Sequence, residues 1–392
     1  MRPRKLFDID WYDLAFGLTL CLWPRGDRAV YAQWEEQNTL PCLSVRSGFD
    51  LLLQALNLPE GSEIATTAVS IPDMQQIAAQ HKLVPIGIDL DLATLQPRLE
   101  QLESCITPRT RMILAAPLFG TQIDLRPLDE IARRHQLLLV EDCAQAFSRP
   151  GYLGSDLADV NLLSFGPIKT ATALGGGLIR VRDAQLLKRM IRAQNQYSLQ
   201  PRRAYALRIL KYGAMKILTQ RHLFDLFIRL NRLMGLDADQ AVKPLTRNFQ
   251  GHDLLGKIRK LPSQPLVAMI ARRWSGYRDQ RIERRTELGR LLASEIGNDT
   301  EVAGISAVES TWWVFAIAAK DPIAVVRSLR QSGFDATSCH NLCVLKTPSI
   351  PPGEMQWLLQ NCVFLPIYPE LSEAEVRRLG QAVKVALGKS RS

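Results

Sequence analysis

Residues 161–177 read NLLSFGPIKTATALGGG and combine an apolar strand pattern, one lysine and three consecutive glycines. NLLSFG has the length and composition of a buried strand, and GGGLIRV begins another. Lys169 stands between them, beside glycines that let the backbone approach other groups closely. A lysine in a glycine-rich turn is usually a solvated surface residue, so its meaning depends on its surroundings.

Around this turn, short apolar runs alternate with amphipathic segments from about residue 42 to residue 183. The predicted strands are LSVRSG (ending in a turn), EIATTAV, LVPIGIDLD, RMILAAPLFG, LLLVEDCAQAF, NLLSFG and GGGLIRV. The predicted helices include FDLLLQALNL, IPDMQQIAAQHK and LRPLDEIARRHQ. This alternation predicts an α/β fold, with a mostly parallel sheet flanked by helices on both faces. Ligands of such folds bind beyond the carboxyl ends of the strands.

The pattern divides the chain into four predicted parts. Residues 1–40 form an N-terminal helical arm, whose apolar run follows acidic residues and is too short to span a bilayer. Residues 41–200 form the large α/β domain, 201–255 a basic and apolar helical insertion with a linker, and 256–392 a smaller C-terminal α+β domain. In the last part, TWWVFAIAA is a predicted strand and LVAMIARRWSGYRDQRIERRTELGRLLASEIG a predicted helix.

Composition narrows the classes of function. The chain has 392 residues and a formal net charge of +10, which favours anionic partners. It has no zinc-ligand spacing and no basic run interleaved with aromatics, so we expect no metal and no nucleic-acid partner. The seven scattered cysteines indicate reduced thiols in a cytoplasm.

Polar residues follow several predicted strands. They are Asp142 and Gln145 after one strand, Ser164 and Lys169 after another, and Ser47 with Gly48 at the start of a helix. Each alone has an ordinary interpretation as a cap, a turn residue or a surface residue. Together they match the needs of pyridoxal 5'-phosphate: a lysine for a Schiff base, a carboxylate for the pyridine nitrogen, and a helix N-terminus with a hydroxyl for the phosphate. Glycines 175–177 would let the backbone run close to this cofactor.

Ordered blocks of sequence resemble the DegT/StrS-type sugar aminotransferase family of fold-type-I pyridoxal phosphate enzymes. The resemblance covers about residues 34–185 and 255–388. RSGFDLLLQALNLPEGSEI resembles that family's Ser-Gly-Thr turn and helix, SFGPIK its Ser-Phe-x-x-x-Lys, and FLPIYPELSEAEVRRLGQAV its closing helix. ITPRTRMILAAPLFGTQIDLRPLDEIARRHQLLLVEDCAQAF follows the family almost element by element. The resemblance implies a fold-type-I transferase with a seven-stranded-type sheet.

The resemblance also implies roles for individual residues. Lys169 carries the Schiff base and moves the proton, Asp142 pairs with the pyridine nitrogen, and Gln145 lies against the ring or its 3-hydroxyl. Ser164, Ser47 and the amides of Gly48 and Phe49 belong to the phosphate site. Lysine rather than histidine at position 169 favours transamination over dehydration.

The implied reaction is amino transfer from glutamate, or aspartate, to a keto-sugar on a nucleotide or lipid carrier. It would serve cell-surface polysaccharide or natural-product biosynthesis, and the implied assembly is a homodimer with active sites built from both subunits.

Several positions depart from the family pattern and leave alternatives open. Phe49 replaces a threonine, Ile258 stands where an asparagine reaches the neighbouring subunit's phosphate, and Val69 or Ser70 stands near a stacking aromatic. One alternative is a catalytically inactive regulator or scaffold. Another is a different enzyme on the same cofactor, a lyase or a desulfurase that uses Cys339 or Cys343.

Segment 202–234 carries eight cations and one acid among apolar residues. One interpretation is a helical hairpin packed on the protein's own dimer. The other is a peripheral contact with anionic lipid at the inner face of the membrane, with Phe224, Leu226, Phe227 and Ile228 in the acyl boundary. The second interpretation would suit a lipid-linked or amphiphilic substrate.

Overall fold

The computed structural model describes residues 1–23, 31, 34–220, 223–225, 253–339, 342–345 and 353–390. Its helices are α1 Trp11–Leu22, α2 Val45–Leu56, α3 Pro72–Gln80, α4 Leu99–Cys105, α5 Arg126–His135, α6 Ala184–Gln194, α7 Arg202–Leu218, α8 Leu254–Ile258, α9 Gln264–Ser275, α10 Asp279–Ile296, α11 Pro322–Gln331, α12 Glu354–Asn361 and α13 Glu373–Ser390. Its strands are β1 Thr39–Cys42, β2 Glu63–Thr67, β3 Val69–Ser70, β4 Val84–Ile88, β5 Thr110–Ala115, β6 Leu138–Asp142, β7 Val160–Ser164, β8 Gly177–Val181, β9 Ser198–Leu199, β10 Lys260–Leu261, β11 Phe315–Ala318, β12 Thr337–Ser338, β13 Cys343–Val344 and β14 Cys362–Leu365.

Seven strands form the central sheet in the order β1-β8-β7-β6-β5-β2-β4. The pairs from β7 to β4 are parallel, whereas β8 runs antiparallel to both β7 and β1. Alternate residues of one strand enter different apolar clusters: Met112 and Leu114 pack with α2, and Ile113 and Ala115 pack with α5. The predicted α/β fold with a mostly parallel sheet flanked by helices is therefore confirmed.

The predicted strand LSVRSG is wrong, because the chain turns into a helix within it. Strand β1 ends at Cys42, and the Oγ of Ser44 accepts a hydrogen bond from the amide of Ser47 at 3.2 Å. Ser44 is thus the N-cap of α2, whose first turn contains Val45. The local preference for a helix cap prevails over the short β-like pattern.

The N-terminal arm folds onto the large domain through a buried ion pair. Asp10 and Asp13 form a reciprocal capping box at the start of α1. The carboxylate of Asp13 is buried and accepts hydrogen bonds from Arg272 Nε at 2.7 Å and Arg273 Nη1 at 2.5 Å. Helix α1 therefore packs against α9, and it also contacts α7.

The predicted single helix over LVAMIARRWSGYRDQRIERRTELGRLLASEIG is interrupted between α9 and α10. A Cβ atom at Gly276 would lie 2.8 Å from the carbonyl oxygen of Arg272, so this turn requires a residue without a side chain. The ring of Tyr277 then enters the core, and its hydroxyl donates a hydrogen bond to Asp8. This break lets α10 leave the large domain and support the C-terminal sheet.

The C-terminal sheet is antiparallel, in the order β11-β14-β12, and packs against α10, α11 and α13. Strand β11 begins at Phe315, later than TWWVFAIAA predicts, because Trp312 adopts a left-handed backbone conformation with φ of 47°. The predicted domain bounds stay a prediction. Of the predicted insertion, residues 226–252 lie outside the described residues.

Helices α1 and α7 leave a set of large apolar side chains exposed, which we call the α1/α7 face. It consists of Trp11, Tyr12, Leu22 and Trp23 from the arm and Leu207, Leu210, Ile217 and Leu218 from α7. Tyr12 is 81% exposed and Trp23 is 69% exposed. In the part of the chain that the structure describes, no helix has the length and hydropathy needed to cross a membrane.

Candidate active site

The predicted site residues of the sheet meet at the carboxyl ends of β6 and β7. Asp142 is the last residue of β6 and Ser164 is the last residue of β7, and these two strands are paired in parallel. Gln145 follows in a short 3-10 helix, and Lys169 lies in the turn between β7 and β8. The parallel topology thus brings residues from separate motifs to one edge of the sheet.

Asp142 presents a buried carboxylate at this edge. Its Oδ1 accepts a hydrogen bond from the amide of Ala144 at 3.0 Å. Its other oxygen accepts no hydrogen bond from any residue that the structure describes. Burial raises the pKa of Asp142, while the Ala144 amide and the charge of Lys169 act in the opposite direction. The second carboxylate oxygen can therefore accept a hydrogen bond from a cationic or protonated partner.

Lys169 has the electrostatics of a reactive amine. Burial lowers its pKa to about 8, the charge of Asp142 opposes this shift, and the charge of Arg46 adds to it. Its Nζ lies 4.4 Å from the centroid of the Trp313 ring, an arrangement that holds the amine by a cation–π contact. A lysine whose pKa is near neutrality supplies the unprotonated amine that attacks carbonyl groups.

Gln145 and Ser164 are positioned by backbone contacts near this pair. The Oε1 of Gln145 accepts a hydrogen bond from the amide of Phe119 at 3.0 Å, which fixes the direction of its side chain. Ser164 is half-buried, and its Oγ accepts a long hydrogen bond of 3.4 Å from Gly166. The Ser164 hydroxyl hydrogen remains available for an anion.

The predicted phosphate residues of α2 lie deeper in the fold than the sequence suggests. The hydroxyl of Ser47 donates to the carbonyl oxygen of Ile258 at 2.9 Å, and the amide of Gly48 donates within the helix to Ser44 at 3.1 Å. The Phe49 ring is buried in the core. In an α-helix the amides without intrahelical acceptors belong to the first turn, which here begins at Val45. The roles of Ser47, Gly48 and Phe49 in phosphate binding stay predictions.

The glycine run packs against α2, and its approach to a cofactor stays a prediction. Gly176 has a φ of +87°, and a Cβ atom at Gly177 would lie 2.7 Å from the amide nitrogen of Val45. The amide of Gly176 also donates to the carbonyl oxygen of Leu43 at 3.0 Å. These glycines therefore bring the start of β8 against the first turn of α2, and so fix the helix N-terminus at the site.

Sequence reasoning missed four nearby residues. Arg46 forms an ion pair with Asp73 at 2.5 Å, and its charge acts on both Asp142 and Lys169. Because Arg46 directly precedes the predicted site residue Ser47, the sequence could have indicated it. The others are Trp313, Lys5 and Arg285, which reach the site from distant parts of the chain, so no local motif marks them.

Cys343, one of the two cysteines of the desulfurase alternative, offers no comparable centre, and the role of Cys339 stays a prediction. Burial raises the pKa of Cys343, and its Sγ donates to the carbonyl oxygen of Ser70 at 3.2 Å. A thiol in this state is a poor nucleophile. Among the residues that the structure describes, no group of three or more His, Cys, Asp and Glu side chains could hold a metal ion.

The donor set fits pyridoxal phosphate. Lys169 offers the amine for its aldehyde, and Asp142 offers a carboxylate with an unused oxygen for its ring nitrogen. The first turn of α2 and Ser164 offer donors for its phosphate. Val69, near the expected stacking aromatic, is instead buried in a β3–β13 pair, so the fit rests on the amine, the carboxylate and the helix N-terminus.

Comparison with known proteins agrees with this geometry. The family model described as DegT/DnrJ/EryC1/StrS aminotransferase family matches residues 28–214. GDP-perosamine synthase from Caulobacter vibrioides is 30% identical over 176 residues, which is 43% of this chain and 46% of that protein. The matched stretch therefore spans less than half of that relative's length.

Two solved structures show the same fold over almost the whole chain. The aminotransferase TlmJ from Streptoalloteichus hindustanus has a TM-score of 0.72 at 18% identity, covering 98% of this chain and 99% of that one. The sugar aminotransferase CalS13 from Micromonospora echinospora has a TM-score of 0.70 at 20% identity, covering 98% and 100%. The fold-type-I prediction is confirmed, and residues 28–214 of the chain are similar to the DegT/DnrJ/EryC1/StrS aminotransferase family.

Proposed function

We propose that this protein is a pyridoxal phosphate-dependent aminotransferase that moves an amino group from glutamate or aspartate to a keto-sugar on a nucleotide or lipid carrier. The observation that carries the proposal is the Lys169–Asp142 pair at adjoining strand ends, in which the lysine has a pKa of about 8. The names of the similar proteins, a GDP-perosamine synthase and a sugar aminotransferase, support the sugar class.

The chemistry divides between the cofactor and the chain. When bound, pyridoxal phosphate supplies the aldehyde and the electron sink. Asp142 would hold a proton on the ring nitrogen, since its buried carboxylate has an unused oxygen. Lys169, whose lowered pKa of about 8 gives it a larger neutral fraction than an ordinary lysine, would take the proton from the substrate α-carbon and return it at the cofactor side. Trp313 restrains the Lys169 amine through the cation–π contact.

The test is the absorption spectrum of the purified protein before and after addition of glutamate. We expect a band at roughly 410–430 nm that moves to about 330 nm with glutamate. Lys169→Ala should slow this change by about 10²–10⁴-fold or more, because it removes the proton carrier. Lys188→Ala, at an exposed lysine of α6, is the matched control. A protein that pyridoxal phosphate cannot reconstitute would favour the regulator or scaffold instead.

We further propose a homodimer, on the strength of the family resemblance. Light scattering of the purified protein would give twice the mass of the 392-residue chain. A monomer that is active in the spectral test would refute this part.

Location is proposed as cytoplasmic, with the α1/α7 face against anionic lipid at the inner face of a membrane. The exposed apolar side chains of this face and cations of α7 such as Arg203 and Lys211 support the proposal. Phe224 does not belong to the contact, because its ring is 9% exposed. Leu226, Phe227 and Ile228 lie outside the described residues.

A further inference from the structure

A small cavity lies beside Lys169, on the side of Trp313 and the C-terminal domain. It has a volume of about 20 Å³, and its lining includes Lys5, Thr170, Arg285 and Tyr368. About one or two water-sized groups fill such a space. The lining comes from the N-terminal arm, the Lys169 turn, α10, the segment before β11 and the segment before α13, so five separate parts of the chain converge here.

Three buried polar atoms of this lining have no hydrogen-bond partner among the residues that the structure describes. They are Lys5 Nζ, Arg285 Nη2 and the hydroxyl of Tyr368. A buried donor without an acceptor is costly, about 1–3 kcal/mol and more for a charged group. Native structures rarely retain such groups, and three around one cavity indicate a missing acceptor.

Lys5 is held at the cavity by a cation–π contact, while its Nζ makes no hydrogen bond to the described residues. Its Nζ lies 3.8 Å from the centroid of the Trp313 ring, which also holds Lys169. Burial lowers the pKa of Lys5, the charges of Arg285 and Lys169 lower it further, and the charge of Asp8 acts in the opposite direction. A bound anion at the cavity would stabilise the charged form of Lys5.

The orientation of the Arg285 guanidinium is fixed by hydrogen bonds from Nε and Nη1. Its Nε donates to the carbonyl oxygen of Thr311 at 2.7 Å, and its Nη1 donates to the Oγ1 of Thr170 at 3.1 Å. The guanidinium plane is therefore fixed, and Nη2 stays unused. Since Thr170 directly follows Lys169, this contact ties the guanidinium to the turn that carries the reactive amine.

The acids of the cavity are already engaged elsewhere. Asp8 accepts from Arg281 Nε at 3.0 Å and from the hydroxyl of Tyr277, and Glu370 accepts from Arg281 Nη2 at 2.7 Å. Arg281 thus balances both acids on the rim. Asp8 and Glu370 still act on Lys5 and Arg285 at longer range, but in the described part of the chain neither Lys5 Nζ nor Arg285 Nη2 donates a hydrogen bond to an acid.

We propose that Lys5, Arg285 and Tyr368 form an oxyanion subsite that binds a carboxylate of the amino donor beside Lys169. The three donors match a group with two acceptor oxygens, and the proposal rests on the proposed aminotransferase function. Lys5 and Tyr368 are binding residues of the donor, contributed from opposite ends of the sequence. The N-terminal arm is therefore part of the active site.

The first test measures binding without turnover. Thermal unfolding of the purified protein is recorded with increasing glutarate, a dicarboxylate without an amino group, and with glutaramide, its uncharged analogue. Glutarate should raise the melting temperature of the wild type and glutaramide should not, because only the former supplies the anion. Lys5→Met and Tyr368→Phe should each weaken glutarate binding at least tenfold, and Lys384→Met, at an exposed lysine of α13, should not.

The same variants separate a binding role from a structural one. Without glutarate, Lys5→Met and Tyr368→Phe should be at least as stable as the wild type, because each removes an unpaired buried group. Higher stability together with weaker binding would support the subsite. Equal glutarate response in the wild type and both variants would overturn it, and so would chloride or sulfate binding as tightly as glutarate, since the site would then not select a carboxylate.

Donor kinetics then connect the subsite to the reaction. In Lys5→Met the KM for glutamate should rise at least tenfold, with the cofactor band unchanged. If the wild type shows the glutarate effect but no donor converts its cofactor, the proposed function fails, while the carboxylate site stands on the binding data. If the donor half-reaction is normal in Lys5→Met, the subsite is refuted and the proposed function survives.

Discussion

Asp142 and Lys169 show how two ordinary residues become a reactive pair when the sheet places them together. Burial moves both pKa values toward neutrality, upward for the carboxyl group and downward for the amine. Each charge partly offsets this shift in its partner. The lysine thus keeps a usable fraction of neutral amine near pH 8, while the carboxylate stays available for a protonated ring.

The first prediction is the pH dependence of Lys169 reactivity in the cofactor-free protein. Only the neutral amine reacts with trinitrobenzenesulfonate, so labelling of Lys169 should rise with pH and reach half its maximum near pH 8. Exposed Lys384 of α13 serves as the reference residue in the same digest. Peptide mass spectrometry over a pH series measures both residues in one sample, and a Lys169 midpoint above 10 would contradict the lowered pKa.

The second prediction is the effect of Asp142→Asn. Asparagine cannot balance a protonated ring nitrogen, so the glutamate-dependent spectral change should slow by about 10²-fold or more while the cofactor still binds. The labelling midpoint of Lys169 should also fall, because the charge of Asp142 raises that pKa. Asp124→Asn, at an exposed residue paired with Arg126, is the control. Unchanged rates in Asp142→Asn would remove this residue from the mechanism.

The residues of the pair could be predicted from sequence because each follows a strand within a few positions. Lys5, Arg285 and Tyr368 could not, because nothing near them in the sequence distinguishes them from surface or core residues. Their meaning comes from unpaired atoms around one cavity, which exist only after the tertiary structure has formed.

At the scale of elements, the close packing of α2 on β8 sets the position of the helix N-terminus. A Cβ atom at Gly48 would lie 2.3 Å from Cδ1 of Ile179, and one at Gly177 would meet the backbone of α2. Glycine is therefore required on both sides of the contact. The residue that sequence reasoning assigned to phosphate binding also determines how closely the helix approaches the sheet.

The third prediction concerns this contact. Gly48→Ala should destabilise the protein by about 1–3 kcal/mol, because the added methyl group forces α2 away from Ile179. It should also weaken cofactor binding, because the first turn of the helix moves with it. Gly388→Ala, where a Cβ atom would meet nothing within 4 Å, is the control and should be neutral. Denaturant unfolding and cofactor titration measure the two effects, and unchanged stability would refute the packing argument.

Element prediction succeeded where the apolar pattern was long and failed at element ends. The strands β2, β4, β6 and β8 lie within predicted apolar runs, and β5 and β7 begin one residue before theirs. The errors at LSVRSG and at Gly276 arose where one capping side chain or one glycine decides the backbone. Such local contacts are too short to leave a periodic pattern.

At the scale of the whole molecule, the α1/α7 face is the feature that neither the fold nor the candidate active site explains. Leu207 is 65% exposed and Leu210 is 55% exposed, beside the exposed aromatics of α1. Exposed apolar side chains on two helices that contact each other favour a contact site. The adjacent cations favour an anionic surface, to which each contributes about 1 kcal/mol.

The fourth prediction tests that face. The protein should float with vesicles containing phosphatidylglycerol at low salt, and the double variant Leu207→Glu/Leu210→Glu should lose at least tenfold in binding, because burial of each leucine contributes about 1.5–3 kcal/mol. Val308→Glu is a matched control, since Val308 is 91% exposed in a loop of the C-terminal domain. A wild type that does not float would refute the membrane contact.

The ion pair between Asp8 and Arg281 joins residues 273 positions apart, and Lys5 faces Arg285 across a similar separation. Closing so long a loop is slow, because ordering the chain precedes the gain from the contact. The parallel strands that carry Asp142 and Lys169 close shorter loops. During refolding, the protein should therefore regain its affinity for the cofactor before its affinity for the donor. A partially refolded chain would then bind the cofactor and be coloured, but it would be inactive. The delay between the two recoveries would report the time that the N-terminal arm takes to dock.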